Sequence, residues 1–268
     1  MKPLYFILIL FCYVACQNEQ NTKENLESTK KNLSDSVYID HYSNGNKKIV
    51  TTIKDGKYHG KYSSFDEKGT IQEEGLMIMG LKNGVWKYYN GNKNIKKVLQ
   101  YYNDSLIFEL DKSDFSLLNH TIENERIEIK IPSNWKTENG NAPQILLISQ
   151  KRCDNSIVFC PNITFTKEEL KEDMTFEDYL KFSFNLLQQK LPYFKAVAQG
   201  QIRIDGLSAF QLSYLTQVNG IKLGGLTTWI NKGNKVYVLT AMAINEKNSE
   251  FLKYKGLFQE VASTFHSH

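Results

Sequence analysis

Three regimes of hydropathy follow one another along the chain. Residues 4–15 are apolar and uncharged, residues 17–36 are polar with almost no large apolar side chain, and from residue 38 onward short apolar and polar runs alternate. Between residues 38 and 104 the alternation is broken at Gly45, Gly56, Gly69 and Gly80, and the intervening stretches are rich in Ile, Val, Thr and Tyr. That pattern predicts hairpin after hairpin, with glycine supplying the positive backbone angle at the turns. Within it, Gly56, Gly60, Tyr62 and Phe65 recur 24 residues later as Gly80, Gly84, Trp86 and Tyr89. Two full copies and a partial leading one are read. An array this short does not bury a continuous core by itself, so it is expected to lean on the next domain or on a partner.

From about Phe115 the pattern changes. Ile127, Ile129 and Ile131 alternate with charged residues as a half-buried strand does, with Pro132 as its stop. Further strands are expected over residues 145–148 and 157–165. Thr175 and Asp178 announce a helix that carries Phe176, Tyr179, Leu180, Leu187 and Leu191 on one face, with Pro192 beyond its end. Asp205-Gly206, Asn219-Gly220 and Lys232-Gly233-Asn234 mark hairpins. A last helix places Phe251, Tyr254, Leu257, Phe258, Val261 and Phe265 at three- and four-residue spacing. The expected fold class is therefore a β-hairpin repeat array plus an α+β domain, an antiparallel sheet with packed helices.

The segments Gly56-Lys57-Tyr58-His59-Gly60-Lys61-Tyr62 and Gly80-Leu81-Lys82-Asn83-Gly84-Val85-Trp86 resemble the MORN-type repeat in its bacterial, YwqK-like form. The resemblance implies a meander of β-hairpins over residues 38–110 with a structural or binding role. Residues 115–268 resemble the PsbP-like or DcrB-like family through IKIPSNW at residues 129–135, residues 162–165, the helix over 176–191, the strand over 236–241 and Ser263-Thr264-Phe265. Members of that family act chiefly as adaptors or accessory subunits, and it offers no shared catalytic residue to carry over.

The amino-terminal regimes bear on location. A helix over residues 4–15 would span about 18 Å, well short of a hydrocarbon layer of about 30 Å. A short basic start, an apolar middle and small Ala15 are the marks of a removed export signal, expected here over residues 1–15. Tyr13-Val14-Ala15-Cys16 resembles the lipobox of bacterial lipoproteins, with Tyr13 standing where that family usually has Leu. The resemblance implies diacylglycerol on the Cys16 thiol and a lipid-anchored protein of the cell envelope, expected at the outer membrane. Residues 16–37 then form a lipidated flexible tether whose composition cannot offset its ordering entropy, with a reach of about 25 Å.

Composition adds exclusions. With 41% apolar and 12% aromatic residues the chain can build a globular core, and a formal charge of +4 spread among mixed lysines and acids is a solvated surface with no nucleic-acid footprint. Beyond the signal and the lipid-bearing Cys16, only Cys153 and Cys160 remain, in a compartment that permits disulfides. A bridge between them and a pair of buried free thiols both stay open. No nucleophile elbow, zinc-protease motif, phosphate loop or dinucleotide fingerprint occurs. His59 reads as turn packing, His41 and His120 stand apart, and His266 with His268 reads as a free tail. The acidic run Glu168, Glu169, Glu172 and Asp173 leads into a helix, where carboxylates are favoured anyway. No catalytic residue, metal or cofactor is expected. The leading expectation is a non-catalytic protein-binding or accessory module that uses Tyr62, Phe65, Trp86 and Tyr89 and an exposed sheet edge on an envelope protein partner. The alternatives are a hydrolase or glycan-active enzyme with an unrecognised site, and a carrier of a small apolar ligand.

Overall fold

The computed structural model describes residues 36–140, 142, 144–154, 157–246 and 250–268. The expected signal, the Cys16 anchor and the tether up to residue 35 lie outside the described residues. Ser36 and Val37, assigned to the tether above, already belong to the first strand.

Seven consecutive strands form the first sheet as a meander: β1 (Ser36–His41), β2 (Lys47–Lys54), β3 (Lys57–Phe65), β4 (Ile71–Ile78), β5 (Leu81–Tyr89), β6 (Ile95–Tyr102) and β7 (Ser105–Leu110). Both bounds repeat every 24 residues from β2 to β4 to β6, and the strand starts do so from β3 to β5 to β7. The turns repeat with them. Gly45, Gly69 and Lys93 all take positive φ, and their N–H groups donate to the carbonyls of Tyr42, Asp66 and Asn90 respectively. Asp55-Gly56, Met79-Gly80 and Asn103-Asp104 are paired left-handed positions, as a two-residue turn matched to strand twist requires. The structure thus holds a further copy of the unit, in which Lys93 and Asp104 stand where Gly69 and Gly80 stood.

The second sheet comprises β10 (Trp135–Asn139), β11 (Ile145–Lys151), β12 (Asn162–Glu169), β13 (Lys195–Ile204), β14 (Leu207–Val218), β15 (Ile221–Lys232) and β16 (Lys235–Ile244), in the order β10-β11-β12-β16-β15-β14-β13. The strand expected from residue 157 begins at Asn162. A small third sheet joins β8 (Leu117–Ile122), β9 (Ile127–Pro132) and β17 (His266–Ser267), in the order β17-β9-β8. Two α-helices are described, α1 (Phe176–Lys190) and α2 (Glu250–Ser263).

The expected α+β class, with helices packed as a layer on one sheet, is overturned. Strand makes up 58% and helix 16% of the structure, which is a β-rich fold of three antiparallel sheets. The physical reason lies in what each helix buries. Helix α1 sends only Tyr179 fully inside, so its apolar positions do not form a core layer. Helix α2 buries Phe251, Leu257, Phe258, Val261 and Ala262, and it shares that core with Ile127, Ile129 and Ile131 of the third sheet and Phe165, Tyr237 and Leu239 of the second.

The first sheet leans on the same core. Val98 and Leu110 belong to the apolar cluster, with Val85 and Phe108 against it. Gly256 of α2 lies so close to Val85 that a Cβ there would collide with it, and Lys87 of β5 ion-pairs with Glu260 of α2.

Candidate binding surface

Alternation along the strands of the first sheet sorts its side chains onto two faces. One face carries Val85, Lys87, Val98 and Leu110 toward α2. The other carries an aromatic ladder of five rings from four strands: Tyr38, Tyr58, Tyr62, Trp86 and Tyr101, with successive ring centroids 5.8, 5.9, 5.5 and 6.4 Å apart. Gly75 makes the ladder possible. A side chain at this position would occupy the volume of the Trp86 ring, and the indole Nε1–H donates to the Leu76 carbonyl at 3.2 Å.

Lys82 covers the centre of the ladder. Its ammonium lies 4.0 Å from the Trp86 ring centroid, 2.9 Å from Glu73 Oε2, and donates to Tyr88 Oη at 3.1 Å. Tyr88 and Tyr101 share a hydrogen bond of 3.1 Å. Burial raises the pKa of Tyr62, with the Glu73 carboxylate adding to it, and burial likewise raises those of Tyr88 and Tyr101. These phenols therefore stay protonated at neutral pH and act as hydrogen-bonding and apolar surface. Beside them an open hollow of about 370 Å³ is lined by Gln72, Glu73, Tyr88, Lys96 and Lys97, among others.

Of the four aromatics expected to meet a partner, Trp86 is wholly buried and Tyr62 nearly so, while Phe65 and Tyr89 are half-buried. Tyr89 faces the α2 side, where its hydroxyl donates to Glu74 at 2.5 Å. The structure thus brings Tyr62 and Trp86 together as ladder members and leaves Phe65 and Tyr89 outside the ladder. What remains open is the sheet's perimeter. Among the described residues, strands β1 and β7 each pair on one side only, with Val37 69% and Leu106 57% exposed and Ile107 exposed beside it.

Cys153 and Cys160 come together as a disulfide pair with Cα atoms 6.1 Å apart. His59 accepts the Met79 N–H at 3.4 Å, a turn-packing position. The acidic run divides: Glu168 lies at the end of β12, where burial raises its carboxyl although the Tyr179 hydroxyl bonds to it. A second open cleft, of about 510 Å³, separates α1 from β13 and β14, with Phe176, Leu180, Phe210 and Arg203 on its walls. Sequence reasoning missed two buried ion clusters, because their members are far apart in the chain. Glu125 meets Lys167, Lys235 and Tyr237. Asp114 accepts from Lys151, Asn134 and Trp135. Among the described residues no helix is long and apolar enough to cross a membrane.

The architecture places the chain in the class of antiparallel, β-rich folds with three sheets. No protein-family model matches it, and no curated protein matches it. Solved structures similar to part of it include a cyanobacterial PsbP from Synechocystis sp. PCC 6803, at 19% identity and a TM-score of 0.44 over 57% of this chain and 93% of that one. Another is LpqN of Mycobacterium tuberculosis, described as involved in cell envelope biogenesis, at 18% identity and a TM-score of 0.43 over 56% of this chain and 89% of that one. A third is a Pseudomonas aeruginosa protein of unknown function described as a putative regulator, at 17% identity and a TM-score of 0.42 over 57% of this chain and 97% of that one.

Proposed function

We propose that the protein is an envelope lipoprotein, anchored to the outer membrane through lipid on Cys16, that acts as a non-catalytic protein-binding or accessory module. In this reading residues 1–15 are a signal peptide, residues 16–35 a tether, residues 36–110 MORN-like hairpin repeats and residues 115–268 a PsbP/DcrB-like domain. The lipobox-like segment ending at Cys16 supports the address. The observation that carries the binding role is the pair of edges on the first sheet that have no neighbouring strand among the described residues, where Val37, Leu106 and Ile107 are exposed. A partner strand added at either edge gains main-chain hydrogen bonds, with alternate side chains for specificity. The enzyme and carrier alternatives both need a deep pocket, whereas the hollow and the cleft described above lie open to solvent.

Two measurements test the two halves of this reading. Membrane fractionation should find the native chain in the membrane pellet and a Cys16→Ser chain in the soluble fraction; an unchanged pellet would remove the anchor. A photo-crosslinking residue at Leu106 should join the chain to a discrete envelope protein in intact cells, and Ile107→Pro, which disrupts β7 as a pairing strand, should abolish that product. Persistence of the product with Ile107→Pro would rule out strand addition at β7.

A further inference from the structure

His266 and His268, which read as a free tail in the sequence, are held in place. Strand β17 pairs with β9, setting His266 opposite Glu128, and the His268 N–H donates to the Arg126 carbonyl at 3.0 Å. Two residues apart on an extended segment, the two imidazoles project to the same side, with ring centroids 4.7 Å apart and planes at 89°. Each ring has a carboxylate at one nitrogen. His266 Nδ1 lies 2.9 Å from Asp205 Oδ1, and His268 Nε2 lies 3.4 Å from Glu128 Oε1. Asp205 is itself fixed, its Oδ2 accepting the Ser267 backbone N–H at 2.8 Å and the Ser267 hydroxyl at 3.3 Å. Nε2 of His266 and Nδ1 of His268 have no protein partner among the described residues.

We propose that these two nitrogens bind a late first-row divalent cation, Cu²⁺ most tightly, with water completing the coordination. Two imidazoles on one such ion, each with a metal–nitrogen bond of about 2.0 Å, place their ring centroids about 4.5–5 Å apart at right-angled to tetrahedral geometry, and the two rings, an edge-to-face pair, stand 4.7 Å apart before any ion is bound. Imidazole suits Cu, Zn and Ni, and Cu²⁺ heads the affinity order. A carboxylate on the far nitrogen is the outer-shell arrangement that fixes the tautomer and orients the ligating atom. Among the described residues no three His, Cys, Asp or Glu side chains converge as a closed cage, so the site is an open one with two protein ligands. The nearby Lys232 ammonium is directed at the His268 carbonyl, 3.4 Å away. This assignment is independent of the function proposed above.

Titration of the full chain with CuCl₂ at neutral pH, followed by calorimetry and by electron paramagnetic resonance, tests it. The native chain should take up one tightest equivalent showing coupling to two imidazole nitrogens, with ZnCl₂ competing for it. His266→Ala and His268→Ala should each weaken that event at least tenfold. His266→Gln, which keeps a polar group toward Asp205, should do the same with an unchanged metal-free melting temperature. Asp205→Asn should weaken it roughly 10–100-fold. The assignment is overturned if the tightest Cu²⁺ event survives in the His266→Ala/His268→Ala double variant with the same affinity and spectrum.

Discussion

Glu125 shows how single residues set the chain's response to acid. Its carboxyl is almost inaccessible to solvent, and burial alone would raise its pKa. Donors from Lys167, Lys235 and Tyr237 outweigh that and hold it at about 2. A carboxyl depressed on folding stabilises in full above its unfolded value of about 4.3, and that stability is lost as pH falls toward 2. The shift corresponds to something on the order of 3 kcal/mol. Urea unfolding at pH 7 and at pH 3 should show the loss, and Glu125→Gln should flatten that part of the pH dependence while lowering stability at pH 7. A second prediction belongs to Gly75. With the Trp86 ring occupying the place of a side chain, Gly75→Ala should cost about 1–3 kcal/mol by overpacking, read as a lower urea midpoint with quenched or shifted tryptophan emission.

At the scale of elements, the contact between β5 and α2 ties the repeat meander to the rest of the structure. It consists of Val85 against Gly256 and Lys87 bridging Glu260 and Glu74. Burial pushes the Glu260 carboxyl up even with Lys87 beside it. A methyl group on Gly256 would push β5 away from α2, so Gly256→Ala should expose the meander to limited proteolysis earlier than the second sheet. Equal cleavage rates in native and variant chains would show that the contact is not what holds the sheet. Legibility differed between elements for a local reason. The hairpin turns at Asp205-Gly206, Asn219-Gly220 and Gly233 were readable because residues suited to positive φ are short and few, and those positions do take positive φ. The last copy of the 24-residue unit was not readable, because Lys93 and Asp104 adopt the same left-handed backbone without glycine. The class of the carboxy-terminal region was misjudged because amphipathic spacing in residues 176–191 reports a helix but not how deeply it is buried.

Over the whole molecule, one apolar cluster draws residues from all three sheets and from α2, so described residues of the repeat region and of the second sheet share a core. The Cys153–Cys160 pair closes a short loop between β11 and β12. In the chain-entropy view a bridge over so short a loop contributes about 2.5 kcal/mol. Cys153→Ser/Cys160→Ser, or the native chain under reducing conditions, should unfold at a correspondingly lower denaturant concentration with an unchanged slope. No difference between oxidised and reduced chains would show that the bridge does not form in solution.

The sequence by itself determined the hairpin character of the meander, its turns at Gly45, Gly56, Gly69 and Gly80, and the presence of both helices. Each depends on local rules, namely the two-residue period of the pleat, the near four-residue period of a helix and the backbone angles a turn demands. Only the tertiary structure decided that β12 lies beside β16, that Trp86 is covered, that Glu125 gathers cations from β12 and β16, and that the two carboxy-terminal histidines are pinned by Asp205 and Glu128. Those contacts join residues tens of positions apart, and no period along the chain encodes which distant segment will be brought alongside.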